Sequence, residues 1–349
     1  MGLSDVIRRV KYGDIQLPTI ARVPDHHVRL RDGFSATPFE ANRHYFTVRA
    51  NSMGLRHDRE WFKTWQPMLV AVTEFRYGTA EMSVPFVMGP DTLRQRANVE
   101  TPLATVFTGT RLAGTHPYVG DRVAVTVLLF KVLHTDYASR VLSIVDSLAA
   151  ALDYSAMLAP YLKLAGAIRN GIDAILGSQK TMAVLGYRTE YNPNAGDVFR
   201  PGYYALAANA LEPSELWVRD DHLLRAGPDA ATAQPVSDDL VLYSITATDA
   251  RNDVDSLPWC APLWERVKRT AAEGTEKGWT RARAHLMALN EQLHLHPDIA
   301  EAQAKPLFDD YLARARSIRD EAILSDTWGP GDMIEDPLES ESLRILTDG

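Results

Sequence analysis

The stretch DRVAVTVLLFKVLHTDYASRVLSIVDSL, residues 121–148, carries the change of period on which the fold turns. Its first half, VAVTVLLFKV, is apolar on both faces over part of its length, the pattern of a central strand covered on both sides. At Asp136 the period changes. Val141, Ile144, Val145, Leu148 and Leu152 recur every three or four residues, which is the spacing of one helical face.

Working outward, both flanks of this switch repeat it. Towards the N-terminus, HYFTVRANS (44–52) alternates, and QPMLVAVTEFRY (66–77), AEMSVPFVMGP (80–90) and ATVFTGTRLAG (104–114) are rich in β-branched and aromatic residues. Gly54, Gly78, Gly89-Pro90, Gly114, Pro117 and Gly120 punctuate them. Residues 1–135 therefore read as an antiparallel, sandwich-like β module, entered through an amphipathic helix at 1–12. Residues 136–178 read as a helical hairpin broken near Pro160, with Leu158, Tyr161, Leu162, Ala165, Ile168, Ile172 and Ile175 along its second face.

Strands return in a second β segment, 179–257: TMAVLGYRTEY, GYYALAANAL, SELWVRDDHLLRA and DDLVLYSITATD, with a turn at Asn192-Pro193-Asn194-Ala195-Gly196. This segment either stands alone or completes the first sheets. Residues 258–325 predict about three helices, with Pro297 and Pro306 as first-turn prolines. Residues 326–349 predict a disordered tail, since 332–349 hold six acids and one arginine. The fold class is α+β.

The 349 residues are 46% hydrophobic and 23% charged, enough apolar material for a sizeable core. The opening MGLSDVIRRVKYGDIQ lacks the apolar run of a secretory signal, and Val6 stands where N-myristoylation needs Ser or Thr. Cys260 is the one cysteine, which excludes an internal disulfide and a Cys-rich zinc knuckle. A reducing cytoplasm is the expected location. The net charge of −8 is uneven. Residues 1–135 hold 17 Lys/Arg against 12 Asp/Glu, a net of +5; residues 136–349 hold 20 against 33, a net of −13. The arginines of the first part form no stripe and the second part repels phosphate, so no nucleic-acid partner is expected.

Asp25-His26-His27 in VPDHHVRLRDG is similar to the triplet of the DHH phosphoesterases, in which such residues help to hold two metal ions that activate water. That chemistry needs further carboxylates at strand ends. Here only Asp5 and Asp14 precede the triplet, and Arg29 and Arg31 follow it. The competing reading is a turn with a pair of histidines. Asp220, Asp221 and His222, with Asp249, Asp253 and Asp255, form a second candidate metal set, against a reading as turn-capping aspartates. A calcium loop counted from Asp249 fails, because Arg251, Val254 and Cys260 fall at its third, sixth and twelfth positions. His294 and His296 match a helix C-terminus, where the dipole favours them.

No G-x-S-x-G elbow, Walker A loop, G-x-G-x-x-G or H-E-x-x-H is present. No catalytic residue and no cofactor are expected. Contact is the better-supported role. Trp61, Phe62 and Trp65 stand beside Arg59 and Lys63, the mixture of aromatic and cationic side chains found in binding hot spots. The competing reading puts one tryptophan in the core and the other on a lysine stem. Between Ser147 and Ala167 only Asp153 and Lys163 are charged, so a membrane-active hairpin at 138–176 is an alternative. The expectation is thus a soluble protein that binds a protein partner or its own copies, as an adaptor, assembly or effector subunit. The alternatives are a metal-dependent hydrolase and a membrane-active protein.

Overall fold

The computed structural model describes residues 19–29, 36–56, 59–60, 63–88, 105–133, 181–225 and 232–327. The expected lead-in helix at 1–12, the helical hairpin at 136–178 and the acidic tail from 328 onward lie outside the described residues. The chain divides into two compact units, residues 1–250 and 251–349.

The described residues of the first unit form mainly strands. They are β1 (Thr19–Arg22), β2 (Val28–Arg29), β3 (Tyr45–Gly54), β4 (Arg59–Glu60), β5 (Lys63–Tyr77), β6 (Ala80–Met88) and β7 (Thr105–Pro117). After these come β8 (Val123–Leu133), β9 (Thr181–Tyr191), β10 (Gly202–Ala207), β11 (Leu216–Arg219), β12 (His222–Arg225), β13 (Gln234–Pro235) and β14 (Leu240–Thr248).

They make three sheets. The first has the order β1-β10-β14-β3-β7 and the second β4-β5-β8-β9, with β6 also on β5; both are antiparallel. The third, β13-β12-β11-β2, contains a parallel pair, β11 with β2. The second β segment therefore completes the first sheets. β10 and β14 stand inside the first sheet, and β9 continues the second.

Side-chain alternation decides which layer faces which. In the first sheet Phe46, Val48, Tyr204, Leu206, Val241, Tyr243 and Ile245 share one core with Leu69, Ala71, Phe75, Val123, Val125, Val127 and Leu129 of the second sheet. The intervening residues Tyr203, Ala205, Ala207, Leu240 and Leu242 pack with Leu216, Val218 and Leu223 of the third sheet. The first sheet is thus covered on both faces. That is why GYYALA in β10 reads as an unbroken apolar run and is buried throughout. Each Leu or Val buried in this layer contributes about 1.5–3 kcal/mol relative to an exposed one.

The turns follow their chemistry. Asn192 Oδ1 accepts a hydrogen bond from the Asn194 amide at 3.1 Å, and Gly196 closes the turn at φ +88°. Asp220 (φ +48°) and Asp221 (φ +64°) both adopt the left-handed conformation between β11 and β12. That is a two-residue hairpin turn of the kind Asn, Asp and Gly favour.

Among the described residues the second unit has three α-helices, α1 (Ala261–Ala271), α2 (Glu276–Leu295) and α3 (Glu301–Thr327). Pro262 stands in the first turn of α1, where its missing N–H costs nothing. Thr275 Oγ1 caps α2 by accepting from the Gly278 amide at 3.0 Å. Trp264, Val267 and Ala271 of α1 meet Trp279, Ala282, Leu286, Leu289 and Leu293 of α2 and Ala304, Tyr311 and Ala315 of α3. These residues recur at helical spacing. The two prolines expected in first turns sit elsewhere. Pro297 lies between α2 and α3, and Pro306 is inside α3.

Candidate functional site

The second sheet has the most distinctive chemistry of the first unit. Strand alternation gives it an inner face, in the sandwich core, and an outer face. On the outer face Glu74 stands level with Ala124 and Glu190, Val72 with Thr126 and Arg188, Val70 with Leu128 and Gly186, and Met68 with Phe130. The face is therefore divided in two along the strands.

One half is charged. Arg188 binds Glu74 through Nη1, reaches Thr126 Oγ1 at 3.2 Å and Glu190 at 3.4 Å. Arg122 holds Glu81 at 3.0 Å and Glu190 at 3.5 Å, and Arg76 holds Asp121 at 3.3 Å. The bond to Glu81 holds the Arg122 guanidinium protonated more firmly than usual, outweighing its partial burial. Three arginines and four acids thus satisfy one another over four segments of chain. The other half is apolar: Met68, Val70, Leu128, Phe130 and Val132 are all buried.

The two ends of the strand ladder present edges. β6 pairs with β5 alone and β9 with β8 alone among the described residues. Pro85 interrupts the N–H row of β6, a usual protection for an edge strand. β9 carries no proline along its 11 residues.

The expected contact residues fall around the start of β5. Arg59 and Lys63 lie on β4 and β5, and Glu60 pairs with Lys63. Trp61 and Phe62 connect them and are outside the described residues. Trp65 corrects the expectation of a ring offered to a partner. It is 5% exposed and belongs to the sandwich core, with Lys131 Nζ 5.0 Å from its ring centroid. It joins both roles of the competing reading, core tryptophan and lysine support. The signal was present in its parity, which matches Leu69, Ala71 and Phe75 rather than Met68 and Val70.

The expected metal ligands have other partners. Asp221 accepts from Asn51 Nδ2 at 2.7 Å and is also hydrogen-bonded to Tyr203. Burial raises its pKa, against the opposing pull of Asn51, His222, Tyr203 and Arg49. Burial first, and then the Asp221 charge, push the Tyr203 hydroxyl up to about 12. Asp220 is exposed at the hairpin turn and His222 is its neighbour on β12. Asp249 receives His44 Nε2 at 3.1 Å, while His44 Nδ1 accepts from the Glu40 amide at 2.8 Å. Asp253 pairs with Arg251 at 2.6 Å in the second unit.

Asp255, also in the second unit, takes Arg314 Nη2 at 2.6 Å and the Tyr311 hydroxyl at 2.5 Å. Arg314 holds its carboxyl below the usual range, ahead of the opposing effect of burial. Tyr311 in turn meets Cys260 Sγ at 3.3 Å, and burial pushes that thiol up. Since the Tyr311 proton goes to Asp255, the thiol is the donor to Tyr311.

The triplet Asp25-His26-His27 forms a single 3-10 turn. Asp25 pairs with Arg22 at 2.5 Å; His27 stacks on Trp217 at 3.7 Å and its Nδ1 lies 2.9 Å from the Leu216 carbonyl. These are packing roles. His294 lies in the last turn of α2, and His296 caps that helix and stacks on Trp259 at 4.4 Å. Among the described residues, no three His, Cys, Asp or Glu side chains are grouped so as to hold a metal ion.

No family model, curated protein or solved structure matches this chain.

Proposed function

We propose that this chain works by contact, as an assembly, adaptor or effector subunit that binds a protein partner or further copies of itself. The observation that carries the reading is the β9 edge. It offers 11 residues paired on one side among the described residues, without the proline that interrupts β6. A strand edge of this kind is a template for backbone pairing by an incoming strand. The ion pairs of Arg188, Glu190 and Arg122 lie beside that edge, and an incoming charged side chain would join their network. Trp61 and Phe62, next to Arg59 and Lys63, remain the proposed aromatic part of the contact. A cytoplasmic location belongs to the same proposal. Among the described residues, no helix is long and apolar enough to cross a membrane.

The test is native mass spectrometry and light scattering of the full chain, purified gently with its companions, followed by hydrogen exchange. A stoichiometric partner or a defined homo-oligomer, with added protection at the β9 amides, is the expected result. A companion-free monomer at micromolar concentration sinks the reading. A complex that leaves β9 exchange unchanged moves the interface off this edge.

A further inference from the structure

We propose that the outward face of α2 docks a second copy of this chain, with the two helices antiparallel about a twofold axis. The inner face of α2 is spent in the three-helix core, through Trp279, Ala282, Leu286, Leu289 and Leu293. On the opposite side Lys277, Ala284, Met287, Ala288, Glu291 and Leu295 are all exposed. Lys277, Ala284 and Glu291 stand seven residues apart, with Met287 and Ala288 between the last two. That is the repeat by which one helix presents a stripe to another.

The stripe is unlike an ordinary wet helix face. Met287 (65%) and Leu295 (69%) are the two most exposed large apolar side chains among the described residues. From Ala284 to Asn290 there is no Asp, Glu, Lys or Arg. The outward face of α3 has the usual composition, with Asp309, Asp310, Arg316 and Asp320 exposed along it.

The order of the residues names the occupant. A twofold axis reverses the stripe about the point midway between Ala284 and Ala288. Ala284 then lies level with Ala288 of the copy, Arg281 with Glu291, and Lys277 with Leu295, because each pair is evenly placed about the same midpoint. The stripe is therefore its own complement, which is the condition for an isologous contact. Alanines at the centre let the helix axes approach to the short end of the usual range of about 8–10 Å. Arg281 binds Glu273 of its own chain and has donors left for Glu291 of the copy. Leu295 packs along the aliphatic stem of Lys277. The stripe is about 27 Å long at a rise of about 1.5 Å per residue. A contact of that size is small for an obligate dimer, so the expected association is reversible.

The test is sedimentation equilibrium of the full chain across the micromolar range, with Ala288→Glu and Glu291→Arg beside the wild type. Both positions are exposed, so the fold should tolerate both changes, and thermal unfolding verifies that. The expected result is a monomer–dimer equilibrium that each substitution weakens at least tenfold. A monomer throughout, or a dimer that either substitution leaves unchanged, overturns the proposal. So does a chain that is monomeric alone and uses this face for a different protein.

Disulfide trapping reads the geometry. Ala284→Cys chains are mixed with isotope-labelled Ala288→Cys chains and oxidised, while the native Cys260 is fully buried. A bridge from position 284 of one chain to 288 of the other is the expected product. Trapping no faster than with a Lys305→Cys control on α3, which is 76% exposed, overturns the proposal. Exchange at the β9 amides reads the functional proposal separately. A complex that protects β9 and ignores Ala288→Glu keeps that reading and sinks this one.

Discussion

Asn51 Nδ2 donates a 2.7 Å hydrogen bond to Asp221 Oδ1, tying the centre of β3 to a hairpin turn 170 residues further along the chain. Asn51 is buried in the first sheet, and its partner sits in the turn of the third. The bond therefore joins two layers. Asn51→Leu is expected to destabilise the first unit by about 2 kcal/mol, because a half-buried carboxylate loses its donor. Urea unfolding followed by a first-unit tyrosine or tryptophan signal measures it.

The same carboxyl predicts an unusual pH response. Burial raises the Asp221 pKa above 3.8, so the folded state holds its proton more tightly than the unfolded state. This stability is complete below the unfolded value and is lost as pH rises from 3.8 through the folded value. Asp221→Asn should remove that loss. The difference between the two unfolding free energies should widen from pH 3.5 to 6 in favour of the variant. A flat difference curve refutes the assignment.

Asp255 has the opposite sign. Arg314 lowers its pKa below 3.8, so its contribution is present above 3.8 and is lost as pH falls through the folded value. Arg314→Gln is expected to abolish this acid sensitivity in the second unit while leaving that of the first unchanged. Acid titration monitored by exchange in α1 and α3 distinguishes the two units.

Two neighbouring tryptophans should separate cleanly. Trp65→Ala empties a core site and is expected to cost about 3–5 kcal/mol. Trp61→Ala should leave the unfolding midpoint within about 0.5 kcal/mol of wild type and weaken partner binding at least tenfold. Thermal unfolding and an affinity measurement on both variants check this.

Cys260 is fully buried, and burial raises its pKa, so thiolate is scarce and inaccessible. A maleimide reagent should leave the native thiol unlabelled at pH 8 and label it when the second unit unfolds. Rapid labelling of the native chain contradicts the packing of Cys260 against Tyr311.

The strand positions were legible because β3, β5, β8, β10 and β14 carry strong local patterns. Their neighbours were not. Thr19 pairs with Ala207 and Leu240 with Gly54, and period 2 states which face a residue occupies without naming the strand beside it. The Asp220-Asp221 pair was open to two readings because carboxylates serve both turns and metals. The flanking LWV and HLL make a hairpin of it. Trp65 was open to two readings, contact ring or core ring, because charged residues flank it; its burial with Leu69, Ala71 and Phe75 selects the core. Pro306 lies within α3 because packing of Tyr311 and Ala315 outweighs one lost backbone bond.

The first sheet has a consequence for synthesis. Its central strand β14 ends at Thr248, while its partner β3 is complete at Gly54. A ribosome adding about 5–20 residues per second needs roughly 10–40 s to span the interval. Throughout that time β3 lacks its β14 neighbour on one flank, although β5, β7 and β8 have already emerged. The nascent chain therefore emerges with that flank of its future centre open, and a variant that slows elongation between these strands should raise its demand for holdase chaperones.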